Sequence, residues 1–228
     1  MNVFGDAIGW ILDPANWLGA NTIGDQITSH MVFSFAVTGV AFAIAFPLGA
    51  VIGHTGRGRG LAVVSSGAAR ALPTLGVLFI VGLWVGVGVT APAIALIVLA
   101  VPPILAGTYA GIEAVDAVAK DAAKASGMTG GQVFASVELP LSLPLVVGGV
   151  RSAMLQVIAT ATLAGYLSNV GLGATIFTGY ATSDYAQMLG ASLLIIALAL
   201  SSEGLFTLIQ RLVVPAGVRA ARRHHVTG

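Results

Sequence analysis

Apolar residues run along this chain in blocks too long for a soluble core. A helix needs about 20 mainly apolar residues to cross a bilayer, and five stretches reach that length: 31–53, 61–87, 91–111, 141–166 and 186–214. Prolines interrupt several of them, with Pro47 in the first, Pro73 in the second and Pro102-Pro103 in the third. A membrane helix tolerates such breaks when neighbours satisfy the freed backbone groups, and Pro73 should kink its span. One polar block stands out, residues 113–140, between the third and fourth spans. Residues 1–30 do not fit a signal peptide. They hold Asp6, Asp13 and Asp25, no Lys or Arg, and an Asp13-Pro14 break. Trp10 and Trp17 suit a short segment at the membrane interface, and a disordered terminal tail is the alternative.

Composition supports the same fold class, an all-α polytopic membrane protein. Hydrophobic residues make up 57% and charged residues 8%, with mean hydropathy +0.95, whereas soluble domains carry about 25% charged residues. The 30 glycines suit close helix approach in lipid. Without cysteine there is no disulfide or thiolate metal site. Charge placement sets the direction. Of the ten Lys and Arg residues, Arg57 and Arg59 follow the first span, Lys120 and Lys124 lie in the polar block, and Arg211, Arg219, Arg222 and Arg223 close or follow the last span. The N-terminal segment, the 87–91 turn and the 167–185 loop hold none. The positive-inside rule therefore puts the N-terminus outside and the 113–140 loop and C-terminus in the cytoplasm. The expected organisation is an extracytoplasmic segment 1–30, a membrane domain 31–215 and a basic cytoplasmic tail 216–228.

The polar block has its own signals. Asp116 can cap an alanine-rich helix over 117–126, and Gly127 is placed to end it in a left-handed turn. Thr129-Gly-Gly-Gln132 is a capping-box pattern. It predicts a second short helix from Gly130 to Val137 that stops before Leu139-Pro140. Two short helices hinged at a glycine make a rigid knob. Met128, Val133 and Phe134 are expected to be exposed, as apolar material for a partner's groove.

Asp121-Ala122-Ala123, three residues, Gly127, nine residues, then Val137-x-Leu139-Pro140 resembles the EAA loop of ABC-importer permeases, with Asp for Glu and Val for Ile. The resemblance implies that Asp121, Ala122, Ala123, Gly127, Met128, Thr129, Gln132, Val133, Phe134, Leu139 and Pro140 dock a separate ATP-binding subunit. Neither lysine follows a glycine, so no phosphate loop is present. The chain is therefore expected to be no enzyme, to have no catalytic residue and to bind no cofactor. Mg-ATP belongs to the partner ATPase dimer.

The resemblance extends over about residues 24–215 and is nearest the osmoprotectant group, which imports glycine betaine, choline and carnitine. It rests on Phe46-Pro47-Leu48-Gly49, Ala71-Leu72-Pro73-Thr74-Leu75, Val101-Pro102-Pro103-Ile104-Leu105, Thr108-Tyr109, Gly111-Ile112, Val137-Glu138-Leu139-Pro140 and Gly171-Leu172-Gly173. The last of these is shared with methionine-type importers, so an amino-acid cargo is the alternative. The family implies a bacterial cytoplasmic-membrane location and a second permease chain, identical or a sister. It also implies a separate solute-binding protein and no nucleic-acid partner. An autonomous channel or secondary transporter should show inverted repeats, and the two halves show no self-similarity.

Three ionisable residues fall inside spans: Arg70, Arg151 and Glu203. Each lies roughly 12–17 Å from a helix end at 1.5 Å per residue, where a charge should be paired or face water. Glu203 is expected to pair with Arg70 or Arg151, either as structural glue or along the solute path. Trp84, Tyr166, Tyr180 and Tyr185 are candidates for cation–π contact with an ammonium solute, or else an interfacial aromatic belt. Gly171 and Gly173, in the glycine-rich segment 168–173, are candidates for an outer turn or gate. Asp184 is either a solvated charge or a cap for the last span. His30, His54, His224 and His225 lack metal-ligand spacing, and no metal site is expected.

Overall fold

The computed structural model describes residues 2–60, 62, 64, 67 and 72–213. The elements used below are α1 (Val3–Leu12), α2 (Ile23–Thr55), α3 (Thr74–Val85), α4 (Thr90–Glu113), α5 (Ala117–Ala125), α6 (Gly130–Val133), α7 (Leu139–Thr160), α8 (Ala164–Leu167), α9 (Leu172–Thr182) and α10 (Tyr185–Val213). Among the described residues, four continuous helices are long and apolar enough to cross a membrane: Ile23–Thr55, Thr90–Glu113, Gly130–Leu167 and Tyr185–Val213. Much of the second expected span lies outside the described residues. Its one continuous described helix is α3, 12 largely apolar residues starting directly after Pro73. Proline lacks the amide hydrogen and drives the residue before it out of the helical region, so the helix begins beyond it. At 1.5 Å per residue α3 is about 18 Å long, and Arg70 lies outside the described residues.

The described helix α2 starts at Ile23, eight positions before the apolar run beginning at Met31. The cause is local. Thr22 and Asp25 form a reciprocal cap, with the Asp25 amide donating to Thr22 Oγ1 at 3.1 Å and the Thr22 amide donating to Asp25 Oδ2 at 3.0 Å.

By proximity of its Cα atoms the chain divides into two compact units. The first comprises Met1–Ala41, Ala71–Ala100 and Ala153–Glu203, with Leu78, Leu99, Met154, Ile158 and Leu172 in its core. The N-terminal segment packs here rather than trailing as a tail. Asn2 caps α1, and the Trp10 ring lies against Gly190, where an added Cβ would come within 2.5 Å of it. A polar stripe lines one face of α2 at four-residue spacing: Gln26, His30, Ser34 and Thr38, none more than 5% exposed. His30 Nε2 meets the Ile158 carbonyl at 3.0 Å, so Nε2 carries the proton and Nδ1 is a bare acceptor. Thr38 Oγ1 donates to the Met154 sulfur at 3.4 Å.

The second unit comprises Phe42–Arg70, Val101–Ser152 and Gly204–Gly228, and glycines set its helix spacing. Gly49 and Gly53 of α2 press on α4, where an added Cβ would come within 2.8 Å of Thr108 and 2.7 Å of Ile112. Gly107 of α4 meets Gly149 of α7 backbone to backbone, at 2.7 Å from a Cβ on Gly107 to the Gly149 Cα. Small residues four apart let membrane helices touch through their backbones, where dispersion and not the hydrophobic effect drives association. Ile104, Ile112, Val133 and Val146 fill the remaining core.

Candidate functional site

The 113–140 loop folds as its local signals require. Asp116 Oδ1 accepts from the Val118 amide at 2.9 Å and caps α5. At the other end Gly127 sits at φ 85°, in the left-handed region. Its amide donates to the Lys124 carbonyl at 2.9 Å, and that of Met128 to the Ala123 carbonyl at 3.2 Å. Those two bonds are the Schellman pair, which satisfies the last free carbonyls of a helix. Two residues on, the capping box is complete: the Thr129 amide donates to Gln132 Oε1 at 2.8 Å, and the Gln132 amide to Thr129 Oγ1 at 3.4 Å. Asp121, Ala122 and Met128 are exposed, while Ala123 turns inward and is 8% exposed.

The foot of the loop departs from expectation in two ways. Val133 is not an exposed docking residue: it is 0% exposed and anchors the short helix α6 from beneath. Phe134 is half-buried, with its ring edge-on to His54 at 5.6 Å. The helix also does not stop before Leu139-Pro140. Residues Phe134–Glu138 form a π turn, and the chain runs on into α7. In that wider turn the Leu139 amide reaches back five residues to the Phe134 carbonyl. Pro140 has no amide hydrogen and its ring needs extra room, and the π turn accommodates both.

Glu138, on the π turn, is 4% exposed. Its Oε2 lies 2.5 Å from Nδ1 of His54, in the last turn of α2. A buried carboxylate needs a partner, and an ionised Glu138 makes Nδ1 the donor. This pair ties the foot of the loop to a helix end 84 positions earlier. The sequence offered no signal for it beyond an acid beside Leu-Pro and a lone histidine. An exposed pair, Arg59 with Glu113 at 3.0 Å, links the segment just after α2 to the last residue of α4.

Of the charges expected within the spans, Arg151 donates from Nη1 to Gln210 Oε1 at 3.2 Å, and Gln210 Nε2 donates to the Pro144 carbonyl at 2.7 Å. Glu203 is half-buried on α10. Tyr166 meets Phe79 at 5.8 Å and Phe177 at 5.4 Å, both edge-on. Trp84 is 88% and Tyr180 72% exposed. Gly171 sits at φ 73°, its amide donating to Ser29 Oγ at 3.2 Å, and any Cβ there would strike His30. Gly173 lies on α9, with the Thr162 carbonyl in the space a Cβ would need. Segment 168–173 is thus a bend that enters α9, an 11-residue helix absent from the sequence reading. Asp184 caps α10, its Oδ1 accepting from the Gln187 amide at 3.0 Å.

Comparison with known proteins accords with this architecture. The profile of the family described as "Binding-protein-dependent transport system inner membrane component" matches residues 22–216. The chain is 29% identical over 193 residues to the glycine betaine/carnitine/choline transport system permease protein OpuCB of Bacillus subtilis, across 85% of this chain and 89% of that one. It is 30% identical over 190 residues to the choline transport system permease protein OpuBB of the same species, across 83% and 88%. With the osmoprotectant import permease protein OsmW of Salmonella typhimurium it shares 28% over 222 residues, across 94% and 100%. Among solved structures, an inward-facing MetNI methionine ABC transporter contains a chain with TM-score 0.74 at 21% identity, covering 89% of this chain and 99% of that one. That likeness concerns the fold alone. A profile match over most of the chain, relatives aligned over most of their length and a shared all-helical fold make this chain a member of the binding-protein-dependent transport system inner membrane component family, a multi-pass permease of ABC importers.

Proposed function

We propose that this chain is the transmembrane subunit of an importer for osmoprotectants of the glycine betaine, choline and carnitine type, with an ATPase dimer docked on the 113–140 loop. The observation that carries the docking half is the locally locked head, which presents Asp121, Ala122 and Met128 on a buried foot. The solute class rests on the relatives, whose names refer to those solutes. The reading includes five spans, an outer N-terminus and a cytoplasmic tail, on the strength of the charge asymmetry. A second permease copy or sister chain completes the path, and a separate binding protein delivers the solute. Arg70, Arg151 and Glu203 act as counter-charges within the spans, and Trp84, Tyr166, Tyr180, Gly171 and Gly173 lie toward the outer mouth. ATP and Mg bind in the partner, whose closure drags the head and the helices attached to it.

Co-purification with the ATPase, followed by ATP hydrolysis with binding protein and candidate solutes, tests this reading. Hydrolysis should rise with a quaternary ammonium solute and not with methionine. Absence of a complex would sink the docking proposal, and stimulation by methionine alone would favour the amino-acid reading that the MetNI-like fold allows.

A further inference from the structure

The second unit carries an open apolar groove of about 390 Å³ between the last turns of α2 and the foot of the loop. Phe46, Pro47, Ala50 and Val51 of α2 line it together with Phe134, and His54 and Thr55 stand at its end. From Phe46 to Thr55 it follows α2 for about 14 Å at 1.5 Å per residue, close to half of the roughly 30 Å hydrocarbon core. The apolar run of α2 ends at Gly53, so the groove descends from headgroup level to acyl-chain depth. The polar groups at its upper end are already engaged. Thr55 Oγ1 donates to the Val51 carbonyl at 2.6 Å and accepts from the Arg57 amide at 3.2 Å. His54 Nδ1 is held by Glu138, and Arg59 by Glu113. Arg57 is exposed and has no ion pair among the described residues.

We propose that this groove binds one acyl chain of a phospholipid with an acidic headgroup, and that Arg57 holds the headgroup at its mouth. Walls this apolar offer little to a polar solute or to the backbone of a peptide, but they shelter a hydrocarbon chain along its length. Hydrocarbon surrounds every lipid-facing helix, so water exclusion does not select this place. The groove selects it by dispersion, because it contacts the chain from two sides instead of one. The unpaired guanidinium then favours an anionic headgroup over a zwitterionic one. The bound lipid touches both α2 and Phe134 on the π turn, and so bridges a membrane helix and the foot of the loop.

The test is photolabelling of the full-length chain in detergent micelles, with phosphatidylglycerol or phosphatidylcholine carrying a diazirine in one acyl chain. Mass spectrometry should find saturable label from phosphatidylglycerol concentrated on residues 46–51 and 131–134, and weaker label there from phosphatidylcholine. Arg57→Gln should lower the phosphatidylglycerol label about fivefold, the effect of one basic side chain near an anionic lipid surface, and bring the two lipids level. Gly131 lines the groove where an added Cβ meets nothing within 4 Å, so Gly131→Leu should displace both lipids without disturbing the fold. Gly39→Ala, outside the groove, serves as the folded control. Label spread evenly along α2 and α10, equal labelling by the two lipids, or labelling unmoved by Arg57→Gln would overturn the proposal. The measurement needs neither the ATPase nor a solute, so its failure is distinct from failure of the importer reading.

Discussion

Glu138 and His54 make unequal demands on their surroundings, and the difference is measurable. His54 has a third of its side chain in solvent, whereas Glu138 is almost fully enclosed. His54→Ala leaves a buried carboxylate unpaired and should lower stability by about 1–3 kcal/mol. Glu138→Met removes the buried charge and leaves only a solvated imidazole, so it should cost less. Thermal melting of the two variants in detergent checks the order, and equal losses would mean that the pair is not the anchor. The same residues mark where sequence reading failed. Thr129 and Gln132 are three positions apart and could be read directly, but a tie across 84 positions has no local trace. Val133 failed for the related reason that one apolar residue in a polar block looks exposed until the foot beneath it is known.

At the scale of elements, glycine positions sort into three kinds. A Cβ at Gly107 would enter the backbone of α7, while one at Gly39 meets nothing within 4 Å. Gly107→Ala should therefore destabilise by about 1–3 kcal/mol through forced separation of the helices. Gly39→Ala should stabilise by roughly 0.5–1 kcal/mol through helix propensity. Chemical denaturation in mixed micelles reads both. Gly127 is a third case, because its left-handed backbone strains a β-branched residue by about 1–3 kcal/mol. Gly127→Val should leave ATP hydrolysis running and reduce solute uptake, and Gly127→Asn should restore much of the uptake, since Asn adopts that conformation. Uptake per ATP hydrolysed is the quantity to follow. The long helices were legible because their length alone identifies them. The early start of α2 was legible too, in Thr22-Ile-Gly-Asp25, but a search keyed to apolar runs passes over a cap. Helix α9 was hidden by its glycines, which read as a loop until their packing against α8 and His30 is seen.

For the whole molecule, the lack of any cysteine makes topology directly testable. A single cysteine at Val118, 73% exposed on α5, should react with an impermeant maleimide only from the cytoplasmic side. One at Leu18, 74% exposed, should react only from outside. Reaction of both from one side would reverse or refute the charge-based orientation. The fold class and the family could be read from the chain, because span length, small residues and the loop spacing are properties of sequence. The cavity between Trp10, Asn16, Gln26, Thr175 and Gln187 could not, because its walls come from separate stretches brought together only by packing.

The head of the 113–140 loop owes its shape to bonds between residues at most five apart, from Asp116 to Gln132. Structure encoded so locally is portable. The head could be grafted onto another permease and keep its form, with its partner preference carried along in a few contiguous codons. Its foot, fixed by Val133 and by the distant His54, would have to be rebuilt in each new host.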